Sequence, residues 1–364
     1  MSGTSLDGLD VACVHFRKNN RTLQENGNVW HYEILHAESI PYSAEWREKL
    51  RGAYYRSAEG IVALDAEYGR YLGTCVKDFT ERHRTEDIDF VASHGHTVFH
   101  RPDAGYNLQI GHGAHLHAVS GEKVICDFRT LDIAFGGQGA PLVPIGDKLL
   151  FGEYDYCLNI GGFANVSYDD KRGIRMAYDL CPANYCLNRL MRTRGREFDR
   201  DGQTARSGVV NPALFEALNT LEYYRRPAPK SLSQEWVDAC VTPLLEQCDD
   251  RFENIIATLT EHAAYQIARP FAAGSSVFVT GGGAYNVYLL ERALHYGNFR
   301  WIKPADAVVD FKEALIFAFL GLLRAERLPN CLQSVTGARK DVVGGVLYGF
   351  SDINLEGNIK TIAV

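Results

Sequence analysis

The stretch Ser2-Gly3-Thr4-Ser5-Leu6-Asp7-Gly8 leads directly into an apolar run, Val11–Phe16, whose composition predicts a β-strand. A loop of this kind suits a phosphate, because its glycines let a ligand approach the backbone and its successive amides form an anion-binding concavity. The hydroxyl side chains add donors, and Asp7 is a candidate ligand for Mg²⁺ or for its bound water. An ordinary exposed turn is the alternative interpretation of the stretch taken alone.

Two further glycine turns stand at the ends of predicted strands. Gly161-Gly162 joins the strands Tyr156–Ile160 and Ala164–Tyr168, and Gly281-Gly282-Gly283 follows the strand Ser276–Thr280 and opens a helix. Two glycine turns on two domains can hold one polyphosphate, and the third turn suits an adenosine packed on its backbone. A plain hairpin is the alternative for the second turn, and a dinucleotide fingerprint at the third lacks its last glycine. The chain has no Gly-Lys dipeptide and hence no P-loop.

The turns mark two α/β segments of similar design. The first segment has two strands separated by a hairpin-type turn at Asn26-Gly27, followed by helices over Ala44–Tyr55 and Ala58–Arg82. The second restarts at Tyr156 with strands and continues with helices. We therefore predict two related α/β domains, without a residue-level repeat, that meet near Asp127–Gly137.

The composition and net charge of the chain disfavour several classes of binding partner. The chain has 364 residues, of which 46% are hydrophobic and 23% are charged, and its net charge is −7. A mildly acidic chain lacks the electrostatic footprint for nucleic acid or an anionic membrane. No apolar run has the length of a membrane span, and no signal-peptide pattern is visible. Nine scattered cysteines without C-x-x-C spacing favour free thiols in a reducing cytoplasm over disulfides or a zinc site.

Asp179 is the candidate catalytic carboxylate. It stands at the end of a predicted strand, ahead of Pro182 and a helix start, where a general base is well placed. A helix N-cap is the alternative role, but Asn184 is the more natural cap and leaves Asp179 free.

The segment from His94 to His117 is rich in polar side chains that can bind a substrate. It contains six of the twelve histidines. Without H-E-x-x-H spacing, hydrogen bonds to a polar substrate are favoured over a transition metal. Arg129 can pair with a substrate carboxylate, and a structural salt bridge is its alternative role. The glycine-rich run from Gly136 to Pro141 indicates a close backbone approach.

Together these strings resemble one family, anhydro-N-acetylmuramic acid kinase, within the superfamily of sugar kinases, actin and the Hsp70 ATPase. The matching strings are Met1–Asp10 (MSGTSLDGLD), Ser93–Pro102 (SHGHTVFHRP), Gln109–Gly111, Asp127–Arg129, Gly136–Pro144 (GGQGAPLVP), Asn159–Asn165 (NIGGFAN), Gly281–Gly283 and Thr336–Ala338. They run from the first residue to near the last in the expected order.

The resemblance implies a fold and a reaction. The fold is two ribonuclease-H-like domains flanking a nucleotide cleft, here residues 1–127 with about 335–364, and residues 128–334. The reaction uses ATP and Mg²⁺ to convert 1,6-anhydro-N-acetylmuramic acid and water into N-acetylmuramic acid 6-phosphate during peptidoglycan recycling. A cytoplasmic homodimer is also implied. The rival hypotheses are a related kinase for another sugar and a non-catalytic ATP-binding protein.

The resemblance also implies the site residues. Asp179 matches the aspartate that activates the water. The implied ATP-binding residues are Gly3, Thr4, Ser5, Leu6, Asp7, Gly8, Leu9, Asp10, Gly161, Gly162, Asn165, Gly281, Gly282 and Gly283, with Asp7 also near Mg²⁺. The implied sugar-binding residues are His94, Gly95, His96, Thr97, Arg129 and Glu313.

The chain departs from the family pattern in three places. Many relatives read D-T-G-P-G-N over the six residues from Asp179 to Asn184, where this chain keeps only Asp, Pro and Asn. Glutamine is usual at the position of His96, whose charge is expected to add a pH dependence. Relatives carry a short apolar strand before the first loop, so either that strand is absent beside Val11–Phe16 or another element fills its place. Apolar residues added ahead of Met1 are accordingly expected to raise stability and ATP affinity.

Overall fold

A computed structural model describes residues 1–2, 6–18, 30–351 and 357–364. It divides into two compact units, Met1–Gly152 with Phe311–Val364, and Glu153–Asp310. The sequence places the domain boundaries at 127/128 and about 334/335, whereas the packing of the chain changes at 152/153 and 310/311. The predicted turn at Asn26-Gly27 and the loop residues Gly3, Thr4 and Ser5 lie outside the described residues.

Strands and helices are numbered in chain order through both units. The strands are β1 Gly8–Lys18, β2 Trp30–Pro41, β3 Phe90–Ser93, β4 His96–Arg101, β5 Tyr106–Ile110, β6 Val124–Cys126, β7 Tyr156–Ile160, β8 Phe163–Asp169, β9 Arg175–Pro182, β10 Ser276–Thr280, β11 Arg300–Ile302, β12 Val346–Tyr348 and β13 Asn358–Ala363. The helices are α1 Ala44–Arg51, α2 Ala58–His83, α3 Gly113–Ser120, α4 Thr130–Ala134, α5 Val143–Leu150, α6 Asn184–Arg192, α7 Gln203–Ser207, α8 Pro212–Asn219, α9 Gln234–Cys240, α10 Thr242–Glu246, α11 Phe252–Ala268, α12 Val287–His295, α13 Asp306–Ala325 and α14 Gln333–Thr336.

The first unit is built on a six-stranded sheet of order β12-β6-β3-β13-β1-β2. Strand β1 is antiparallel to both β2 and β13, while β13 is parallel to β3 and β3 is parallel to β6. Apolar residues of β1 are buried against α2, whose long amphipathic face carries Tyr68, Leu72 and Phe79 into the same core. Beside this sheet, β4 and β5 form an antiparallel pair that the sequence did not reveal at β4.

Strand β1 has a partner on each side, so no position beside Val11–Phe16 is left open. One neighbour of β1 is β2 and the other is β13. Strand β13 lies where relatives of the resembling family have the short apolar strand that precedes the first glycine loop. In the described residues, β13 therefore fills the position beside β1. Apolar residues added ahead of Met1 would compete with β13 for this position, so the gain in stability and ATP affinity expected from the sequence depends on their displacing β13.

The second unit repeats the same pattern. Its five-stranded sheet has the order β11-β10-β7-β8-β9, with β7, β8 and β9 successively antiparallel and with β10 parallel to both β7 and β11. Each unit thus contains an antiparallel trio extended by two parallel strands, a mixed α/β arrangement as predicted. The long buried helix α11 packs on this sheet through Ala264 and Ile267.

Helix α13 passes from one unit to the other. Its backbone is non-helical at Phe311 (φ −114°, ψ 18°), the residue at which the first unit resumes. Beyond this kink its buried residues pack in the first unit, where Gly321 lets the helix approach Phe90 closely. Within the described residues, none of the helices has both the length and the apolar character to cross a membrane.

Candidate functional site

The glycine turn of the second unit is held against the start of α6. The main-chain oxygen of Gly161 accepts a hydrogen bond from the N–H of Asn184 (3.2 Å), and that of Gly162 accepts from Tyr185 (3.0 Å). Asn184 is the first residue of α6, not its N-cap as predicted, and its side-chain amide donates to the oxygen of Ile160 (3.3 Å). The carbonyl oxygens of the turn therefore accept hydrogen bonds from the first N–H groups of α6, a task that a capping side chain performs in other helices.

The third glycine loop packs on the same strand end. Gly281 has φ +79° and ψ 165°, a region open almost only to glycine, and a Cβ there would lie 2.6 Å from Asn159 Oδ1. A Cβ on Gly283 would lie 2.2 Å from Ile160 Cγ2. The two loops predicted to bind the nucleotide are therefore brought together at the carboxyl ends of the parallel strands β7 and β10, the edge where ligands bind in α/β sheets.

Gly281→Ala is expected to destabilise the protein by about 2–3 kcal/mol, because both the backbone conformation and the contact with Asn159 oppose a side chain. Gly274→Ala is the matched control, since Gly274 has φ +80° but nothing within 4 Å of its Cβ position. Thermal melts of both variants separate the cost of the contact from the cost of the dihedral angle. Equal losses in the two variants would show that the Gly281 contact is unimportant.

A cavity of about 350 Å³ opens beside this loop. Gly282, Tyr285 and Asn184 form part of its wall. Another part of the wall was missed by the sequence analysis and consists of Phe198, Asp199, Arg200 and Asp201. The residue string Asp-Arg-Asp-Gly before a helix is a turn and capping signal that marks this wall.

Asp199 and Asp201 give that wall a fixed shape. The carboxylate of Asp199 accepts hydrogen bonds from the N–H groups of Thr204 (2.8 Å) and Ala205 (3.0 Å). Asp201 has φ +54°, a left-handed conformation that is uncommon for a residue other than glycine. Strained residues of this kind concentrate at ligand sites, and the cavity has the size and mixed lining of a small-molecule site.

Asp179 lies inside β9, three residues before its end, and not at the strand end as the sequence predicts. It pairs across the sheet with Asn165, and the register shifts at this point, so the strand bulges beside it. Its Oδ2 accepts a hydrogen bond from the N–H of Leu232 (2.8 Å), and its main-chain oxygen accepts from the hydroxyl of Tyr223 (2.7 Å). Asp179 therefore caps no helix and stands next to a residue of the predicted nucleotide site.

Burial raises the pKa of Asp179, and the hydrogen bond from Leu232 offsets part of that effect. A carboxylate with a raised pKa is a stronger base than an exposed one and suits proton abstraction near neutral pH. The carboxylate is half-buried, and within the described residues its hydrogen bond is made through Oδ2 alone. The group is thus anchored through one oxygen with the other available to a water molecule.

In the first unit, Asp7, Gly8, Asp10 and Glu313 line one cavity of about 400 Å³ together with Met1, Ser39 and Pro41. The sequence assigns the first three of these to the nucleotide and Glu313 to the sugar, and the structure brings all four together. The hydroxyl of Ser39 donates to Asp10 Oδ1 and fixes that carboxylate. Leu9 is buried in the core, so its side chain faces away from the cavity.

Part of the surface of Glu313 is open to the cavity, but protein atoms pack densely around its carboxyl group and partly desolvate it. Burial raises the pKa of Glu313, and the positive field of Arg129 offsets part of the increase. No group of three His, Cys, Asp or Glu side chains forms a ready metal site in the part of the chain that the structure describes. Asp7 and Asp10 nevertheless fit Mg²⁺, which is usually held by one or two carboxylates together with substrate phosphates.

Arg129 connects two of the predicted sugar-binding strings. Its Nη1 donates to the oxygen of Gly139 (2.7 Å), and its Nη2 donates to His94 Nε2 (2.9 Å). Because a guanidinium only donates, Nε2 of His94 is the acceptor, and its protonated Nδ1 donates to the oxygen of Gly95 (2.9 Å). Burial and the neighbouring Arg129 hold the pKa of His94 well below its usual range. The Nε of Arg129 is buried and has no partner among the described residues, so a donor remains for a ligand.

Asp132 was missed by the sequence analysis, and no local pattern marks it. It is fully buried, and its Oδ2 accepts from the N–H of Gly139 (2.8 Å) while its Oδ1 accepts from the hydroxyl of Thr336 (2.8 Å). The carboxylate thereby joins the strings at Gly136–Pro144 and Thr336–Ala338. Through Gly139 it also fixes the oxygen that holds Arg129.

His96 and Thr97 line a smaller cavity of about 190 Å³ with Tyr54, Arg51 and Leu6. Leu6, which the sequence assigns to the nucleotide, therefore lines the same cavity as two predicted sugar residues and not the cavity of Asp7 and Asp10. Beside it, Gly95 has φ +73°, and a Cβ there would lie 2.5 Å from the oxygen of Ile110, so this position requires glycine.

His96 is held by a buried hydrogen-bond chain. Its Nδ1 lies 2.9 Å from Ser2 Oγ, which accepts a hydrogen bond from the hydroxyl of Tyr42 (2.7 Å). Burial lowers the pKa of His96 to about 4, so it is neutral at physiological pH. The predicted pH dependence from its charge therefore belongs to acid conditions and not to the neutral range.

Acid is expected to destabilise the protein through His96. The unfolded side chain binds a proton below about pH 6.5, whereas the folded one stays neutral down to about pH 4, so stability falls as pH drops through that window. The loss attributable to His96 is on the order of 3 kcal/mol at pH 4. Between pH 7 and pH 4, the melting temperature of the native protein should fall relative to that of His96→Gln, which has no titrating group at this position. A constant difference between the two curves would contradict the assignment.

Known proteins resemble the chain over almost its full length. A family model described as "Anhydro-N-acetylmuramic acid kinase" matches residues 1–349. The protein of that name from Methylorubrum populi is 36% identical over 377 residues, which cover 95% of this chain and 97% of the relative. That of Vibrio cholerae is 31% identical and covers 96% of each chain. Among solved structures, the hexokinase from Schistosoma mansoni complexed with glucose aligns over 77% of this chain at 12% identity, with a TM-score of only 0.31.

Proposed function

The chain belongs to the anhydro-N-acetylmuramic acid kinase family, and on that premise we propose that it phosphorylates 1,6-anhydro-N-acetylmuramic acid with ATP. The product is N-acetylmuramic acid 6-phosphate, formed in the recycling of peptidoglycan. The observation that carries the proposal is Asp179, a half-buried carboxylate with a raised pKa, anchored through one oxygen beside the strand that follows a glycine turn.

The reaction balances with one water. The water oxygen bonds to C1 of the sugar as the C1–O6 bond of the anhydro bridge breaks, and O6 bonds to the γ-phosphorus as the bond to ADP breaks. Asp179 accepts the proton that the water loses. Its raised pKa strengthens it as a base, and the hydrogen bond from Leu232 keeps its orientation.

The substrates are assigned to the groups that the structure assembles within each unit. We assign the sugar to Arg129, which His94 holds in place, and to the small cavity at His96. Arg129 offers a charged donor, and a neutral imidazole such as that of His96 can donate and accept. We assign the adenosine to the cavity beside Gly282. Asp7 and Asp10 would hold Mg²⁺, which neutralises phosphate charge when bound.

The departures from the family pattern near Asp179 support the same substrate. Leu180, Cys181 and Ala183 are all buried in the core of the second unit. Their side chains change the packing behind the site and not the surface that a ligand meets. This observation disfavours a kinase for another sugar, the rival that the altered string motivated.

The test is ADP release from Mg-ATP with and without 1,6-anhydro-N-acetylmuramic acid, beside a panel of hexoses and amino sugars. We expect release only with the anhydro sugar. A better acceptor within the panel would favour the related kinase, and ATP binding without any turnover would favour the non-catalytic protein. The ribonuclease-H-like domains flanking a nucleotide cleft, the homodimer and a cytoplasmic location belong to the proposal through the family alone.

A further inference from the structure

Strand β13 lies beyond the residues that match the family model, which end at 349. It is nevertheless an interior strand, with β1 on one side and β3 on the other. Ile359, Ile362, Ala363 and Val364 are at most 1% exposed. An interior strand of this kind is part of the core and not an appendage.

The row of residues opposite β1 continues without a gap from β13 into Met1 and Ser2. Ala363 pairs with Ala12, and the next position along this antiparallel row places Val364 opposite Val11. The following position, opposite Asp10, is occupied by Met1, which exchanges main-chain hydrogen bonds with Asp10 in both directions. Ser2 then pairs with Leu9. Residues 364 and 1 thus occupy successive positions of one row.

The second unit contains a strand in the position equivalent to this row. There β7 runs directly into the turn Gly161-Gly162 and returns as β8, with β10 parallel to β7 on its other side. In the first unit, β13 has the place of β7, β1 that of β8, and β3 that of β10. The strand that leads toward the first glycine loop therefore comes from residues 357–364.

This strand also touches the predicted sugar site. The main-chain oxygen of Val364 accepts a hydrogen bond from the N–H of His94 (3.1 Å), and the hydroxyl of Thr361 donates to the oxygen of Phe90 (2.8 Å). His94 in turn accepts from Arg129. At the other end of the row, Met1 holds Asp10, and Ser2 lies within hydrogen-bond distance of His96.

We infer that residues 357–364 form the positioning strand of the first unit's site, and that their place in the sheet, not their place in the chain, is what the site requires. The strand orders His94 through the main-chain oxygen of Val364, and Met1, the next position of the same row, pairs with Asp10. The expected effect on turnover rests on the proposed function, whereas the expected effect on the sheet and its stability is independent of that function.

Three chains test it: the full chain, residues 1–350, and residues 1–350 with residues 357–364 joined directly ahead of Met1. We expect the shortened chain to melt at a lower temperature and to lose sugar-dependent ADP release. The relocated strand should restore both to near the values of the full chain, because residues 364 and 1 already occupy successive positions. The matched control carries Ile362→Asp in the relocated strand and should behave like the shortened chain.

Two results would overturn the inference. One is a relocated chain that melts like residues 1–350, and the other is a shortened chain that keeps the melting temperature and the activity of the full one. Melting curves are read independently of turnover, so failure of the proposed function is distinguishable. A relocated chain that regains the native melt while even the full chain lacks sugar-dependent turnover supports the strand and rejects the kinase assignment.

Discussion

Asp179→Asn is expected to lower the turnover number for the anhydro sugar by about 10²–10⁴-fold, the usual contribution of a general base. The change removes the basic oxygen but keeps the shape of the side chain. The carbonyl oxygen of the amide still accepts the hydrogen bond from Leu232, so the melting temperature should stay near that of the native protein. Turnover and thermal melts measured on the same preparation separate catalysis from folding.

Asp249→Asn is the matched control for this substitution. Asp249 is an exposed carboxylate of the same unit, so the same change there should leave turnover intact. Asp179→Asn should also leave nucleotide binding nearly unchanged, because the substitution removes a base and not a phosphate ligand. Native turnover in Asp179→Asn would remove Asp179 from the mechanism.

Arg129→Lys is expected to raise the KM for the sugar by about 10–100-fold, the range that follows from losing a charge-assisted hydrogen bond. The ammonium keeps the charge, but one point donor cannot reproduce the fork that reaches both Gly139 and His94. The partner groups are then left unsatisfied, and the sugar loses an oriented donor. Steady-state kinetics with the sugar and ATP varied in turn should show the larger effect in the KM for the sugar.

Arg17→Lys is the matched control, since Arg17 is exposed and pairs with Glu33 at 3.7 Å across the surface of the first unit. Arg129→Met adds a second readout. With Arg129 gone, the pKa of His94 should rise, because one of the two main causes of its depression is removed. A sugar KM that is unchanged in both Arg129 variants would assign Arg129 a purely structural role.

Local patterns predicted the strands and helices well where the chain specifies its own structure. The amphipathic spacing of α2 and the apolar run of β1 each identify an element, because burial of one face is decided by neighbouring residues in the chain. Strand β13 is different. A short apolar segment near the end of the chain gives no indication of its partners, and only the pairing with β1 and β3 shows that it is an interior strand.

The sequence likewise reveals some residues of the candidate site and not others. Glycine loops and the carboxylate Asp179 are recognisable because their chemistry depends on residue type. Asp132 is not recognisable, because its importance comes from two hydrogen bonds to distant residues, Gly139 and Thr336. The placement of Asp179 at a strand end was wrong because the pairing of β9 with β8 resumes after a bulge and continues to Pro182.

The most direct test of the central claim is the mass of the sugar product after a single incubation with Mg-ATP and 1,6-anhydro-N-acetylmuramic acid. The mechanism predicts a product heavier than the substrate by one phosphoryl group and one water, because O6 is released from the bridge as C1 gains the water oxygen. A phosphorylated product without the added water would keep the anhydro bridge and contradict the role of Asp179. An unchanged sugar would contradict the kinase itself.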